Sequence, residues 1–272
     1  MPRRIIYLML VFLTCLSALP AAENRIIALV PSQTELLFSL GFGTDVVGVS
    51  DFCNFPVEAA AVTKVGGLEL NIERIVSLRP TLLVDANNMH RKYEPLFQQL
   101  GLKYINFVTT RLEHLPTVAA ELARLLGAPG KGEVFVRDWE TKLRQLDLKK
   151  AALPVAVYFE IWDTPAQAAG QGSFIGELIA RAGGTNIVTG SGDFPVVSSE
   201  GVISGNPEVI LVAYPLPDLA KIRQRPGWAS IRAVKNNRIK ALDQDIFVRP
   251  GPRNLDAISQ LIQIFHEVKP HE

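Results

Sequence analysis

Short apolar segments alternate with amphipathic segments along most of the chain. Apolar residues at 26–30 and 46–49 predict two buried strands, and the segment between them has the spacing of a helix. The sequence Ser-Gln-Thr-Glu at 32–35 is a capping-box pattern that predicts the start of this helix, and Gly41 predicts its end. Because strand, helix and strand follow in this order, the pattern predicts an α/β fold with parallel sheets.

One longer amphipathic segment interrupts this alternation. Residues 131–150 carry apolar side chains at helical spacing with charges between them, directly after a Gly-Ala-Pro-Gly break at 127–130. We therefore predict two Rossmann-like lobes joined by a single long connecting α-helix, with a ligand cleft between the lobes. The predicted boundaries are an N-terminal α/β lobe at 23–127, the connecting helix at 128–152 and a C-terminal α/β lobe at 153–272.

The same local pattern occurs once in each predicted lobe. Residues 71–84 and 198–212 each begin with a small polar residue suited to the N-cap, followed two residues later by Glu73 or Glu200. A proline lies seven residues after each glutamate, and an apolar strand follows it. If a pseudo-twofold axis relates the lobes, the two glutamates project from equivalent edges and suit a two-fold symmetric partner with basic pockets. The alternative is that each glutamate only stabilises the first turn of its helix.

A second repeat supports a duplicated α/β unit. Glu35 lies six residues before Gly41, and Glu177 lies six residues before Gly183, each in a predicted helix that ends at its glycine. The two repeats keep the same order in both halves of the chain.

The N-terminus predicts export. Arg3 and Arg4 precede an apolar run at 5–16, and small residues follow it, which is the pattern of a secretory signal peptide over residues 1–22. We expect cleavage near residue 21 or 22 and a periplasmic location. A lipid anchor at Cys15 is disfavoured, because Phe-Leu-Thr precedes this cysteine and lacks the small residue usual there. The mature chain then keeps Cys53 alone, which excludes an internal disulfide.

Charge and motif content narrow the possible functions. The 28 Lys and Arg residues nearly balance the 27 Asp and Glu residues, and no basic stripe interleaves with aromatics, so nucleic acid is not a plausible partner. No metal site is predicted, because of the four histidines only His90 falls in a predicted cleft loop. The sequence has no G-x-S-x-G or H-E-x-x-H motif, which disfavours a hydrolase.

The loops expected at the carboxyl ends of the strands carry several aromatic residues. In open α/β sheets, ligands bind at these ends, so the aromatics could line a wide apolar slot. They are Phe52, Phe55, Trp162, Phe194, Tyr214 and Phe247, with Asn87, Asn88, Asp245 and Arg249 as polar anchors. For any one of the aromatics, a core position under a loop is an equally good interpretation.

The chain resembles the periplasmic vitamin B12 (cobalamin)-binding proteins of ABC importers, which belong to the helical-backbone class of solute-binding proteins. The segments that carry the resemblance are 29–36, 47–56, 71–80, 194–200 and 245–253. The resemblance implies a non-enzymatic receptor that holds no resident cofactor and delivers a corrinoid to an ABC permease dimer with its cytoplasmic ATPases. It also implies that Glu73 and Glu200 dock onto arginines of that permease.

The resemblance assigns ligand contacts residue by residue. Phe52 stands where the better-known relative has a tyrosine against the corrin, and Phe194 stands where it has a tryptophan. Asp245 and Arg249 match a pair that hydrogen-bonds the corrin amides. Two further tryptophans of that relative have no aromatic counterpart, and Trp162 is predicted to compensate from the other lobe. We include Phe247 among the predicted ligand contacts.

Two alternatives stay open at this point. A ferric siderophore or haem receptor of the same class could use Arg91, Arg249 and Tyr214 for an anionic or iron-bearing ligand. A secreted enzyme of unknown reaction is the alternative from another class. Its best motif is the glycine-rich segment 170–176, whose last glycine is one residue late for a dinucleotide fingerprint.

Overall fold

The structure is a computed structural model that describes residues 24–190 and 192–268. The predicted signal peptide and Cys15 lie outside the described residues. Among the described residues, none of the helices has the length and apolar character needed to cross a bilayer.

The N-terminal lobe is built on a parallel four-stranded sheet with the order β2-β1-β3-β4. Its strands are β1 (Ile26–Ala28), β2 (Val46–Val49), β3 (Leu82–Ala86) and β4 (Tyr104–Phe107). Its helices are α1 (Pro31–Ser39), α2 (Ile72–Ser77), α3 (Glu94–Gln99) and α4 (His114–Leu125). The parallel pairing confirms the fold class predicted from the alternating pattern.

A long helix, α5 (Pro129–Asp147), occupies the predicted connector. It lies directly against α4, and the contact is close at Gly132, where a Cβ atom would come within 2.8 Å of the Ala120 Cα. Trp139 on the same helix is buried in the core. Because β1 to β4 precede α5 and the strands of the second sheet follow it, the described chain passes from one sheet to the other once, through this helix.

The C-terminal lobe has a mixed sheet in which β8 lies between β5 and β9, and both β6 and β7 pair with β5. The pairing is parallel except between β5 and β6. The strands are β5 (Val155–Trp162), β6 (Gln167–Ala168), β7 (Gly184–Asn186), β8 (Val209–Val212) and β9 (Ile239–Ala241). The helices are α6 (Phe174–Arg181), α7 (Ser199–Gly205), α8 (Leu219–Arg223), α9 (Arg232–Lys235), α10 (Gln244–Phe247) and α11 (Asn254–His266).

One apolar core extends through both lobes. It runs from Leu36 of α1 through Trp139 of the connecting helix to Phe159 of β5 and Ile258 of α11. Burial of apolar surface is the main favourable term in folding, so a core shared by the lobes opposes their separation.

The duplicated Glu73 and Glu200 segments fold alike. The Asn71 Oδ1 accepts a hydrogen bond from the Arg74 backbone at 2.9 Å, and the Ser198 Oγ accepts one from the Gly201 backbone at 3.2 Å. Each cap places its glutamate at the second helical position, and each helix leads into a buried strand, β3 or β8. The sequence prediction for this repeat is confirmed.

The predicted capping box at 32–35 is wrong. Helix α1 starts earlier, with Val30 at the N-cap and Pro31 in the first turn, and no side chain caps it. Proline favours the first helical position because it has no N–H to satisfy, which moves the helix start ahead of Ser32. Glu35 is consequently free to make contacts outside its own helix.

Candidate functional site

A cavity of about 320 Å³ lies between the lobes at the carboxyl ends of the strands. This is the edge at which open α/β sheets bind ligands, and the volume falls within the range of small-molecule sites, at its lower end. The loops after β1, β2 and β3 line it from the N-terminal lobe, and residues 174, 193–194 and 248–250 line it from the C-terminal lobe. The cleft predicted between the lobes is therefore present.

Two phenylalanines line the cavity, one from each lobe. Phe52 and Phe194 are about half exposed, at 53% and 43%, so each presents ring surface to the open space. Gly67 leaves space for the Phe52 ring, since a Cβ at residue 67 would lie 3.1 Å from that ring. The arrangement gives an apolar slot for a flat ligand, as expected for these two residues.

The structure does not bring the other predicted aromatics into the slot. Trp162 is half exposed at the end of β5, donates its Nε1–H to the Thr164 carbonyl at 3.2 Å and does not line the cavity. Phe247 is fully buried and packs on Phe159 with ring centroids 5.7 Å apart. The prediction that Phe247 contacts ligand is therefore wrong, because the short helix α10 turns this ring into the core.

Tyr214, considered above as a contact for an anionic or iron-bearing ligand, does not line the cavity. Its hydroxyl donates to Glu160 at 3.1 Å, and the fully buried Glu160 carboxylate also accepts two hydrogen bonds from Arg225, at 2.6 and 2.8 Å. Burial, together with the Glu160 charge, raises the pKa of Tyr214, so the phenol stays protonated. This network holds strand β5 to the segment after α8.

Asp245 and Arg249 form an ion pair, and Asn54 reaches both side chains from the other lobe. Arg249 Nη2 donates to Asp245 Oδ1 at 2.7 Å, and Arg249 Nη1 donates to Asn54 Oδ1 at 2.7 Å. The Asn54 side-chain NH₂ donates to Asp245 Oδ2 at 2.7 Å, which completes a hydrogen-bonded ring of three side chains. Arg249 lines the cavity, and the side chains of Asp245 and Arg249 are 19% and 15% exposed.

Glu35 forms a second contact between the lobes beside this ring. Its carboxylate, only 2% exposed, accepts hydrogen bonds from Arg253 Nε at 2.9 Å and Nη2 at 2.6 Å, and Arg249 Nη1 lies 3.5 Å away. The Arg253 guanidinium also lies over the Phe55 ring, 4.3 Å from its centroid. Sequence reasoning missed the roles of Glu35, Asn54 and Arg253.

His90 lines the cavity from the N-terminal lobe and is held on both sides of its ring. Its Nδ1 lies 3.1 Å from Asp85 Oδ1, and its Nε2 lies 3.0 Å from the Gly67 carbonyl oxygen. Since both neighbours are acceptors, this arrangement favours the cationic imidazole, which carries a proton on each ring nitrogen. Burial alone would lower the pKa of His90, but its hydrogen bonds to Asp85 and Gly67 outweigh burial and raise it.

Asp85 is the buried counter-ion of this histidine. Burial alone would raise the pKa of Asp85, but hydrogen bonds from His90 and from the Tyr104 hydroxyl at 2.8 Å lower it. Through His90, the pair links the Gly67 carbonyl to Asp85 of strand β3. Within residues 24–190 and 192–268, no group of three or more His, Cys, Asp or Glu side chains has the arrangement of a metal site.

Glu73 and Glu200 lie apart from the cavity and are solvent-exposed in the first turns of α2 and α7. Neither is engaged in an ion pair within the described part of the chain. Their carboxylates are therefore available to an external partner.

Comparison with known proteins identifies the family. The sequence model of the periplasmic binding proteins matches residues 26–246. The chain belongs to the periplasmic binding protein family. Among its relatives, the vitamin B12-binding protein of Vibrio cholerae serotype O1 is 30% identical to this chain over 265 residues, which cover 95% of each chain.

Solved structures of other family members have the same fold. The periplasmic vitamin B12-binding protein BtuF of Vibrio cholerae matches with a TM-score of 0.77 and 27% identity, over 91% of this chain and 98% of that one. The periplasmic haem-binding protein RhuT of Roseiflexus sp. RS-1 matches with a TM-score of 0.83 and 26% identity, over 90% and 99%. The two-lobed α/β architecture is thus shared by receptors of different ligands.

Proposed function

We propose that this periplasmic binding protein captures a corrinoid, with cobalamin as the first candidate, and delivers it to an ABC importer. The observation that carries the proposal is the slot lined by Phe52, Phe194 and Arg249, with Asp245 paired to Arg249. Aromatic walls suit the apolar faces of a macrocycle, and a carboxylate beside a guanidinium suits a rim of neutral amides. The similarity to vitamin B12-binding proteins favours the same ligand class.

In this proposal the protein binds and presents its cargo without chemistry. The corrinoid is the transported ligand, so no resident cofactor is needed, and ATP hydrolysis belongs to the cytoplasmic subunits of the importer. Glu73 and Glu200 meet arginines on the two halves of the permease dimer, because both are exposed at equivalent positions of a duplicated unit. The predicted signal peptide would deliver the chain to the periplasm.

A haem receptor is the second candidate, favoured by the similarity to the haem-binding RhuT. Haem iron is held by histidine, cysteine, methionine or tyrosine side chains. Of these types, Met89 and His90 line the cavity among the described residues, and both ring nitrogens of His90 already have partners. A haem would thus rely on the Met89 thioether or displace a buried hydrogen bond of His90.

Titration of the purified mature chain tests the proposal. We expect calorimetry to detect binding of cyanocobalamin and cobinamide, and weaker or no binding of haem and of a ferric hydroxamate siderophore. Mass spectrometry of the recovered corrinoid should find it unchanged, whereas a secreted enzyme would convert it. Binding of haem or siderophore without corrinoid binding would contradict the proposal.

A further inference from the structure

The Asn54 side chain makes a two-point contact with Asp245 and Arg249 that uses one donor and one acceptor. Its NH₂ group donates to Asp245 Oδ2 and its oxygen accepts from Arg249 Nη1, both at 2.7 Å. A carboxylate has no donor for Asp245, and an ammonium group has no acceptor for Arg249. The carboxylate and the guanidinium are therefore arranged to recognise a donor and an acceptor on one planar group.

The recognising pair does not depend on Asn54 for its position. Arg249 Nη2 is bonded to Asp245 Oδ1 at 2.7 Å, and it also donates to the Phe52 carbonyl at 3.3 Å. The Arg249 Nη1 lies 3.5 Å from Glu35, whose carboxylate is fixed by Arg253. The pair would keep its geometry with the Asn54 side chain absent, which is the preorganisation that a binding subsite needs.

Of the three hydrogen-bonded side chains, that of Asn54 is the one a ligand can most easily displace. Asn54 is exposed in the loop after β2, whereas Asp245 and Arg249 are mostly buried. Its displacement does not have to open the cleft, since Arg253 with Glu35, and Arg111 with Glu177, still join the lobes. The exposed Asn54 side chain can thus rotate outward while the walls of the cavity stay in place.

We infer that the Asn54 carboxamide occupies the Asp245 and Arg249 pair in the free protein, and that a primary amide of the ligand displaces it. This inference rests on the proposed function, because a corrinoid is fringed with primary amides. It makes Asn54 a specificity-determining residue: only a ligand group that equals its two-point contact displaces it efficiently. Carboxylates on haem or on a siderophore would face the Asp245 charge and would displace it poorly.

Calorimetric titration of Asn54→Ala with cyanocobinamide tests the inference. Because the variant has no internal amide to displace, we expect cyanocobinamide to bind about ten- to 150-fold more tightly than to the wild type, the range for one hydrogen bond to a charged group. Cobyrinic acid, which carries carboxylates in place of the amides, should gain less than cyanocobinamide. Asn236→Ala, which removes an exposed asparagine of the C-terminal lobe, is the matched control and should change neither affinity.

A second measurement uses the wild-type chain and does not depend on the variant. In a protein labelled with ¹⁵N at asparagine, the side-chain NH₂ signal of Asn54 should move on saturation with cyanocobinamide, because its acceptor Asp245 is taken by the ligand. Unchanged or weakened binding by folded Asn54→Ala, or an Asn54 signal that stays in place in the complex, would overturn the inference while leaving corrinoid binding intact. Failure of the wild type and the variant alike to bind either corrinoid would overturn the proposed function and this inference with it.

Discussion

Arg253 of the C-terminal lobe holds Glu35 of the N-terminal lobe with two hydrogen bonds, from Nε to Oε2 at 2.9 Å and from Nη2 to Oε1 at 2.6 Å. A contact of the reverse kind also joins the lobes. Glu177 of the C-terminal lobe accepts from Arg111 Nη1 and from the Leu112 backbone N–H, both at 2.8 Å. The two glutamates of the second sequence repeat thus join the lobes in opposite directions.

Glu35→Gln should destabilise the protein. The substitution keeps the size of the side chain but leaves Arg253, with 13% of its side chain exposed, without its counter-ion. Removal of one partner from a buried pair costs about 3–5 kcal/mol in the free energy of unfolding. Urea unfolding followed by circular dichroism measures the change.

The exposed pair of Glu140 and Arg144 on α5 provides the control. Both side chains are more than half exposed, so Glu140→Gln should change the free energy of unfolding by less than about 0.5 kcal/mol. If Glu35→Gln were as mild as Glu140→Gln, the contact with Arg253 would not contribute to holding the lobes together.

The sequence allows the fold to be predicted because its signals are local. Strand and helix periods, the caps at Asn71 and Ser198 and the break before α5 each depend on neighbours within a few residues. The repeat also singled out Glu35 and Glu177, but their partners lie 218 and 66 residues away. No local pattern can specify a pairing at such a separation.

The candidate site was predicted only in part for the same reason. Phe52, Phe194 and Arg249 line the cavity as expected, since all three follow from the strand-end rule and the resemblance. Loop membership does not fix the direction of a side chain, and Phe247 points into the core. Asn54 gave no signal in the sequence, because its role depends on two residues of the other lobe.

Phe194→Ala should weaken ligand binding without unfolding the protein. Phe194 is 43% exposed in the cavity, so its truncation removes contact with the ligand and little of the core. We expect cobalamin binding to lose about 1–3 kcal/mol, as for a large aromatic contact at an interface. Calorimetric titration measures this loss.

Phe247→Ala is the matched variant in the core. Loss of a fully buried phenylalanine costs about 3–5 kcal/mol of stability, and the melting temperature should fall accordingly. The opposite pattern, with Phe247→Ala stable and Phe194→Ala poorly folded, would contradict the assignment of these two rings.

His90 should make stability depend on pH. The folded pKa of His90 is raised above the usual 6.5, so its stabilising contribution is complete below about pH 6.5 and is lost as the pH rises through the folded pKa. Asp85, with its pKa lowered below 3.8, stays ionised over this range. Tyr104 also contacts Asp85, as a neutral phenol. The charge of Lys92 slightly opposes the protonation of His90.

His90→Gln tests this dependence in urea unfolding at pH 6 and pH 9. The difference in the free energy of unfolding between wild type and variant should be larger at pH 6, since the cationic ring is then bound by Asp85 and Gly67. Groups that titrate elsewhere cancel in the difference. Equal differences at the two pH values would show that the ring is not protonated in this range.

Replacement of Glu73 or Glu200 by alanine should impair transport and leave ligand affinity unchanged. Both glutamates are exposed, outside the cavity and in the first turn of a helix, so their loss costs at most about 1 kcal/mol of stability. A charge pair desolvated at an interface costs about 2–5 kcal/mol when one partner is truncated, and the double variant should be more severe. Cellular cobalamin uptake and co-purification with the permease are the measurements.

Glu133→Ala, an exposed glutamate on the connecting helix, is the control for this test. It removes the same charge but lies outside the duplicated segments, so uptake should remain normal. The comparison separates docking at two equivalent edges from a general effect of net charge on association with the permease. Normal uptake by both Glu73→Ala and Glu200→Ala would mean that these glutamates only stabilise the starts of α2 and α7, and that the permease recognises another surface.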